Sequence, residues 1–99
     1  MLNINKNMEN GKATVALEGR LDTMTASELE EALNAALTDV TELTFDLEKL
    51  EYISSAGLRV LLSAQKTMNR QGSMKVLHAN EMILEIFEVT GFSDILTIA

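Results

Sequence analysis

Residues 51–62 read EYISSAGLRVLL, and the chain changes its hydrophobic period inside this stretch. Upstream, ELTFDL alternates Leu43, Phe45 and Leu47, the period-two pattern of a strand with one buried side. Downstream, Leu58, Leu61, Leu62 and Met68 recur at helical spacing, with Arg59, Gln65 and Lys66 assigned to the outer side and Gly72 ending the run. The four small residues Ser54, Ser55, Ala56 and Gly57 therefore form a strand-to-helix junction, predicting a helix over the Ser54-to-Arg70 region after an exposed turn.

Working outward, TASELEEALNAAL places Thr25 and Glu28 at capping-box spacing, with Ala26, Leu29, Leu33, Ala36 and Leu37 on one helical face. Before it, Leu2, Ile4 and Met8 alternate, Asn10-Gly11 supplies a turn tolerant of positive backbone dihedrals, and Ala13, Val15 and Leu17 resume the alternation. This is a hairpin signal. Toward the other end, SMKVLHA reads as a strand and NEMILEIFEVTG as a helix with Met82, Ile83, Ile86 and Phe87 in a stripe. ILTIA reads as a final short strand. The order is β-β-α-β-α-β-α-β, which predicts an α/β fold: a mixed, mostly parallel sheet with an opening hairpin and helices packed against it.

A chain of 99 residues fits one domain over 1–99, because a division would leave each half too small to bury an adequate core. No apolar run approaches the roughly 20 residues needed to cross a bilayer, and the polar start MLNINKNMEN does not resemble a secretory signal. The expected compartment is the cytoplasm. A net charge of −7 opposes attraction to nucleic acid or anionic lipid and favours a protein partner. Absence of cysteine removes disulfides and thiolate metal sites.

Catalytic readings are weak. A serine hydrolase needs a base beside its nucleophile, but the single histidine, His78, lies near a strand end and no G-x-S-x-G elbow is present. One histidine without cysteine does not make a usual zinc set, and the carboxylates lack an EF-hand pattern. No GxxxxGK[ST] or GxGxxG occurs, so a nucleotide-binding reading rests on a helix N-terminus alone. Neither a cofactor nor a metal is expected. The methionines Met68, Met74 and Met82 read as core filler or edge contacts.

The serine pair has two readings. Ser54 caps the helix and Gly57 allows close packing beside the sheet, which accounts for both structurally. Capping needs only one serine, however. Ser55 falls in the first turn, near the positive end of the helix dipole, where a phosphate would be tolerated and would receive backbone hydrogen bonds.

GRLDTMTASEL followed by LTFDLEKLEYISSAGLRVLL resembles the STAS domain of bacterial anti-sigma factor antagonists. That family carries an early G-x-L-D, a strand ending in Asp, and an aromatic-apolar-D-S-S/T-G-L-G turn. Gly19, Leu21 and Asp22 match the first signature, Asp46 the second, and Tyr52, Ile53, Ser55, Gly57 and Leu58 the third. The resemblance covers nearly the whole chain. It implies a partner switch rather than an enzyme. In that scheme the unphosphorylated antagonist binds an ATP-dependent anti-sigma serine kinase and frees a sigma factor; the kinase phosphorylates the turn, and a protein phosphatase resets it.

Two departures bear on the acceptor. Ser54 replaces the usual Asp, and Ala56 occupies the second hydroxyl position, leaving Ser55 as the implied phosphorylation site and Ser54 as second choice. The implied partner-binding set is Asp22, Asp46, Ser54, Ala56, Gly57 and Arg59. Arg59, one turn on, either pairs with the phosphate or only solvates the helix. Asp22 and Asp46 either orient the turn and contact the partner or cap the next helix. The same departures support an alternative, a docking module of a transport or signalling assembly that works without phosphorylation. Many family members carry a further helix after the last strand, so weak self-association through a less covered sheet face is a further expectation.

Overall fold

A computed structural model describes residues 2–99. Strands β1 (Leu2–Glu9) and β2 (Lys12–Leu21) form the opening hairpin, then α1 (Thr23–Ala36), β3 (Glu42–Ile53), α2 (Ser55–Gln71), β4 (Ser73–Leu77) and α3 (Glu81–Val89) follow. A short 3-10 turn at Phe92–Asp94 comes after them. The sheet order is β1-β2-β3-β4, antiparallel between β1 and β2 and parallel elsewhere. Asn10 and Gly11 both adopt positive φ, 50° and 82°, and Glu9 pairs with Lys12, which is the two-residue turn that fits the twist of a hairpin.

One core joins the inward residues of the sheet to all three helices: Val15, Leu17, Phe45 and Leu47 meet Leu29, Leu61, Met68, Ile83 and Phe87. The opposite face is solvated, and cross-strand polar contacts hold it, including Arg20 stacked 4.5 Å over the Tyr52 ring.

β3 runs six residues past the alternating stretch that announces it. Its later buried residues, Leu47, Leu50 and Ile53, are spaced by three, a period no regular strand can bury. Two irregularities resolve the conflict. Ala16 pairs with Asp46 but Glu18 with Lys49, and Gly19 pairs with Leu50 but Arg20 with Tyr52, so β3 gains one residue at each step and re-phases toward the core. Gly19, at the second step, has φ 106°, a conformation that favours glycine and accounts for the first residue of the G-x-L-D signature.

Several expectations change. The capping box of α1 is built by Asp22 and Thr25, not by Thr25 and Glu28, because the helix starts at Thr23 and Thr25 already lies in its first turn. Gln65 is not on the outer side: it is 6% exposed, with its amide donating to Asn69 Oδ1 at 2.8 Å. Met68 and Met74 fill the core, whereas Met82 is 47% exposed on the flank of α3. The final strand is reduced to one parallel bridge between Val76 and Ile98, since the 3-10 turn uses up the approach to the sheet edge.

Candidate functional site

The parallel strands β2 and β3 end side by side, Leu21 opposite Ile53, and each turns directly into a helix. The Ser54 amide donates to the Leu21 carbonyl at 2.8 Å, tying the two junctions together. Two helix N-termini thus open at the same end of the sheet, the first capped by the Asp22 carboxylate and the second by the neutral Ser54 hydroxyl, so the positive end of the dipole is offset at α1 and kept at α2.

Asp22 closes the first junction. Its Oδ1 accepts from the amides of Met24 and Thr25 at 3.0 Å each, while its own amide donates to Thr25 Oγ1 at 2.8 Å. Thr25 Oγ1 in turn donates to the Arg20 carbonyl at 2.8 Å, so a buried hydroxyl links the end of β2 to the start of α1. The backbone hydrogen bond from Thr25 holds the Asp22 carboxyl below its ordinary value, against a smaller opposing effect of burial.

Ser54 closes the second. Its Oγ accepts from the Gly57 amide at 3.2 Å, and its extended backbone, φ −96° and ψ 174°, is that of an N-cap. Ser55 is the first helical residue, exposed, and its hydroxyl enters no hydrogen bond among the described residues. Gly57 is buried against the neighbouring junction: a Cβ there would lie 2.7 Å from Leu21 Cγ and 3.0 Å from Ile53 Cγ1. The glycine lets α2 leave the sheet at this angle.

Arg59 is exposed four residues after Ser55, one turn away on the same side of the helix, and it joins no ion pair among the described residues. It borders a shallow groove of about 190 Å³ between the first turns of α1 and α2, with Thr23, Ala26, Glu30, Ala56 and Val60 along the walls. Met24, in the first turn of α1, is 82% exposed. Sequence reasoning passed over Met24 because it lies off the apolar stripe of α1. The signal available was its place two residues after a cap, where nothing in the fold requires a large apolar side chain.

Asp46 does not belong to this end. It pairs with Ala16 five residues of β2 before Leu21, about 17 Å away at roughly 3.3 Å per residue. Its Oδ1 accepts from the Glu48 amide at 3.1 Å, holding the first irregularity of β3, and lies 3.0 Å from His78 Nδ1. The bond with His78, followed by that from Glu48, lowers the Asp46 carboxyl below its ordinary value. His78, at φ 61° just past β4, is thus a strand-end residue that fastens β4 to β3. Asp22, Ser54, Ser55, Ala56, Gly57 and Arg59 come together; Asp46 stands apart because the strand expected to end there continues to Ile53.

The family model described as "Mlab, STAS domain" matches residues 4–97. BtrV of Bordetella bronchiseptica is 37% identical over 92 residues, covering 90% of this chain and 78% of that protein. The anti-sigma-B factor antagonist of Bacillus subtilis is 27% identical over 99 residues, covering 99% of this chain and 91% of that protein. Among solved structures, an anti-sigma factor antagonist from Mycobacterium paratuberculosis superposes with a TM-score of 0.89 at 22% identity, over 99% of this chain and 85% of that one. The chain belongs to the STAS-domain family of anti-sigma factor antagonists. It is a binding domain and not an enzyme. No helix among the described residues is long and apolar enough to cross a membrane.

Proposed function

We propose that the chain is a phosphorylation-controlled partner switch. Unmodified, it binds an ATP-dependent anti-sigma serine kinase and frees the sigma factor that kinase holds; phosphorylated on Ser55, it lets go; a protein phosphatase restores it. The observation that carries this reading is the division of labour in the serine pair. Ser54 is consumed by the cap, and Ser55 offers an exposed hydroxyl with no bond to break.

Phosphoryl transfer joins Ser55 Oγ to the γ-phosphorus of ATP, ADP departs, and the hydroxyl proton passes to a base on the kinase. The product carries about −1.5 to −2 charge at neutral pH. The first-turn amides and Arg59 stabilise it in the free protein, so the fold survives the modification. Docking would then require desolvating the new charge, and the complex weakens. Asp22, Ala56, Gly57 and Arg59 form the surroundings of the acceptor, and Met24 adds an apolar contact. A switch that uses ATP, a kinase and a sigma factor would work in the bacterial cytoplasm.

Ala56, where the family has a second hydroxyl, favours one other reading, a docking module that is never phosphorylated. Equilibrium binding to the cognate kinase separates the two. The switch requires a clear loss of affinity after phosphorylation; equal affinity of both forms leaves the docking module.

A further inference from the structure

We infer that α3 carries a second docking surface, away from the serine turn, that takes a basic amphipathic helix of a partner protein. Ile83 and Phe87 anchor α3 in the core, both fully buried. Met82, Ile86 and Val89, at i, i+4 and i+7, form a separate apolar line along its flank. Met82 is 47% and Val89 77% exposed, and Ile86 is half-buried. Ile86 packs partly against the core, but Met82 and Val89 on either side of it are left to solvent and extend the apolar line beyond what the core covers.

The charge beside it identifies the occupant. Glu81, Glu85 and Glu88 make an adjacent exposed ridge at i, i+4 and i+7, on a helix with no basic residue. None of them joins an ion pair among the described residues. Glu81 suits the helix N-terminus, but Glu88 lies in the last turn, where the dipole disfavours an acid, and like charges one turn apart destabilise the helix. An apolar line and an uncompensated acidic ridge are relieved together by a helix that presents leucine-type side chains flanked by lysine or arginine. A second copy does not fit, because it would bring the same ridge against this one on a protein of net charge −7. Anionic lipid and nucleic acid are repelled for the same reason.

The test uses the ¹⁵N-labelled protein without any kinase, so its outcome is independent of the serine switch. The probe is a synthetic 18-residue amphipathic Leu/Lys helix at physiological salt; its control has the same lysines with each leucine replaced by serine. Amide shifts should cluster on residues 82–89. The control should bind at least tenfold more weakly, as should Val89→Ser and Glu85→Lys, both exposed positions where the spectrum verifies the fold. Equal binding of the control, shifts centred elsewhere, or unchanged affinity in both variants would overturn the inference. So would concentration-dependent shifts at these residues without peptide, which would make a second copy the occupant.

Discussion

The two ends of α2 are built for different purposes. At its C-terminal end the Gly72 amide donates to the Met68 carbonyl at 2.7 Å, and a Cβ on Gly72 would overlap the carbonyl of Thr41. Gln71 Nε2 donates to the carbonyls of Leu37 and Val40, each at 2.6 Å, so that end is locked to the connection between α1 and β3. At the N-terminal end the backbone is held as firmly, by the Ser54 cap and the burial of Gly57, yet Ser55 and Arg59 stay exposed. One end uses its side chains to make the fold. The other spends the Ser54 side chain on the cap and leaves those of Ser55 and Arg59 free, as the proposed switch requires.

The comparison makes ordered predictions for stability. Gly72→Ala should have the largest effect, at or above the upper end of the about 1–3 kcal/mol typical of overpacking, because the obstacle is backbone that cannot rotate away. A denaturant midpoint near that of the wild type would break the picture of a locked end. Gly57→Ala should cost less, about 2 kcal/mol, since the obstructing atoms are the Leu21 and Ile53 side chains, which can shift. Ser54→Ala should remove the cap and cost about 1 kcal/mol, read from the same urea titration.

A smaller effect comes from acid. Asp46 has its carboxyl lowered in the folded protein, so its contribution is complete above the unfolded aspartate value of 3.8 and is lost as pH falls through the lower folded value. Stability should therefore decline below about pH 4, and Asp46→Asn should flatten that decline in urea midpoints taken from pH 5 to pH 3. Asp22 titrates in the same direction, so the flattening is partial.

Much of the architecture was legible because its patterns are local. Asn10-Gly11 between alternating residues specifies the hairpin, and the change of period at Ser54–Gly57 specifies the β3–α2 junction. The serine pair was legible too: a cap needs one hydroxyl, and the structure spends one. The largest failure depended on partners distant in sequence. The alternation announces β3 only as far as Leu47, because the extra residues that turn Leu50 and Ile53 back toward the core exist only opposite β2. The misplacement of Asp46 follows from that error. Gln65 reads as a surface residue because polarity alone does not reveal that its amide nitrogen donates to Asn69, one turn on, while its Oε1 is buried without a partner among the described residues. Asp22 and Thr25 are both capping types, and only the geometry assigns the cap to one and the return bond to the other.

Ser55→Ala should have the least effect on stability, within about 0.5 kcal/mol as for an exposed residue away from special contacts, and the greatest on function. The direct measurement is to incubate wild type and Ser55→Ala with the cognate ATP-dependent anti-sigma kinase and ATP, and to read phosphate by intact mass with site mapping. One phosphate on Ser55 of the wild type and none on the variant is the expected result. Phosphate mapped to Ser54, or undiminished incorporation in Ser55→Ala, would contradict it.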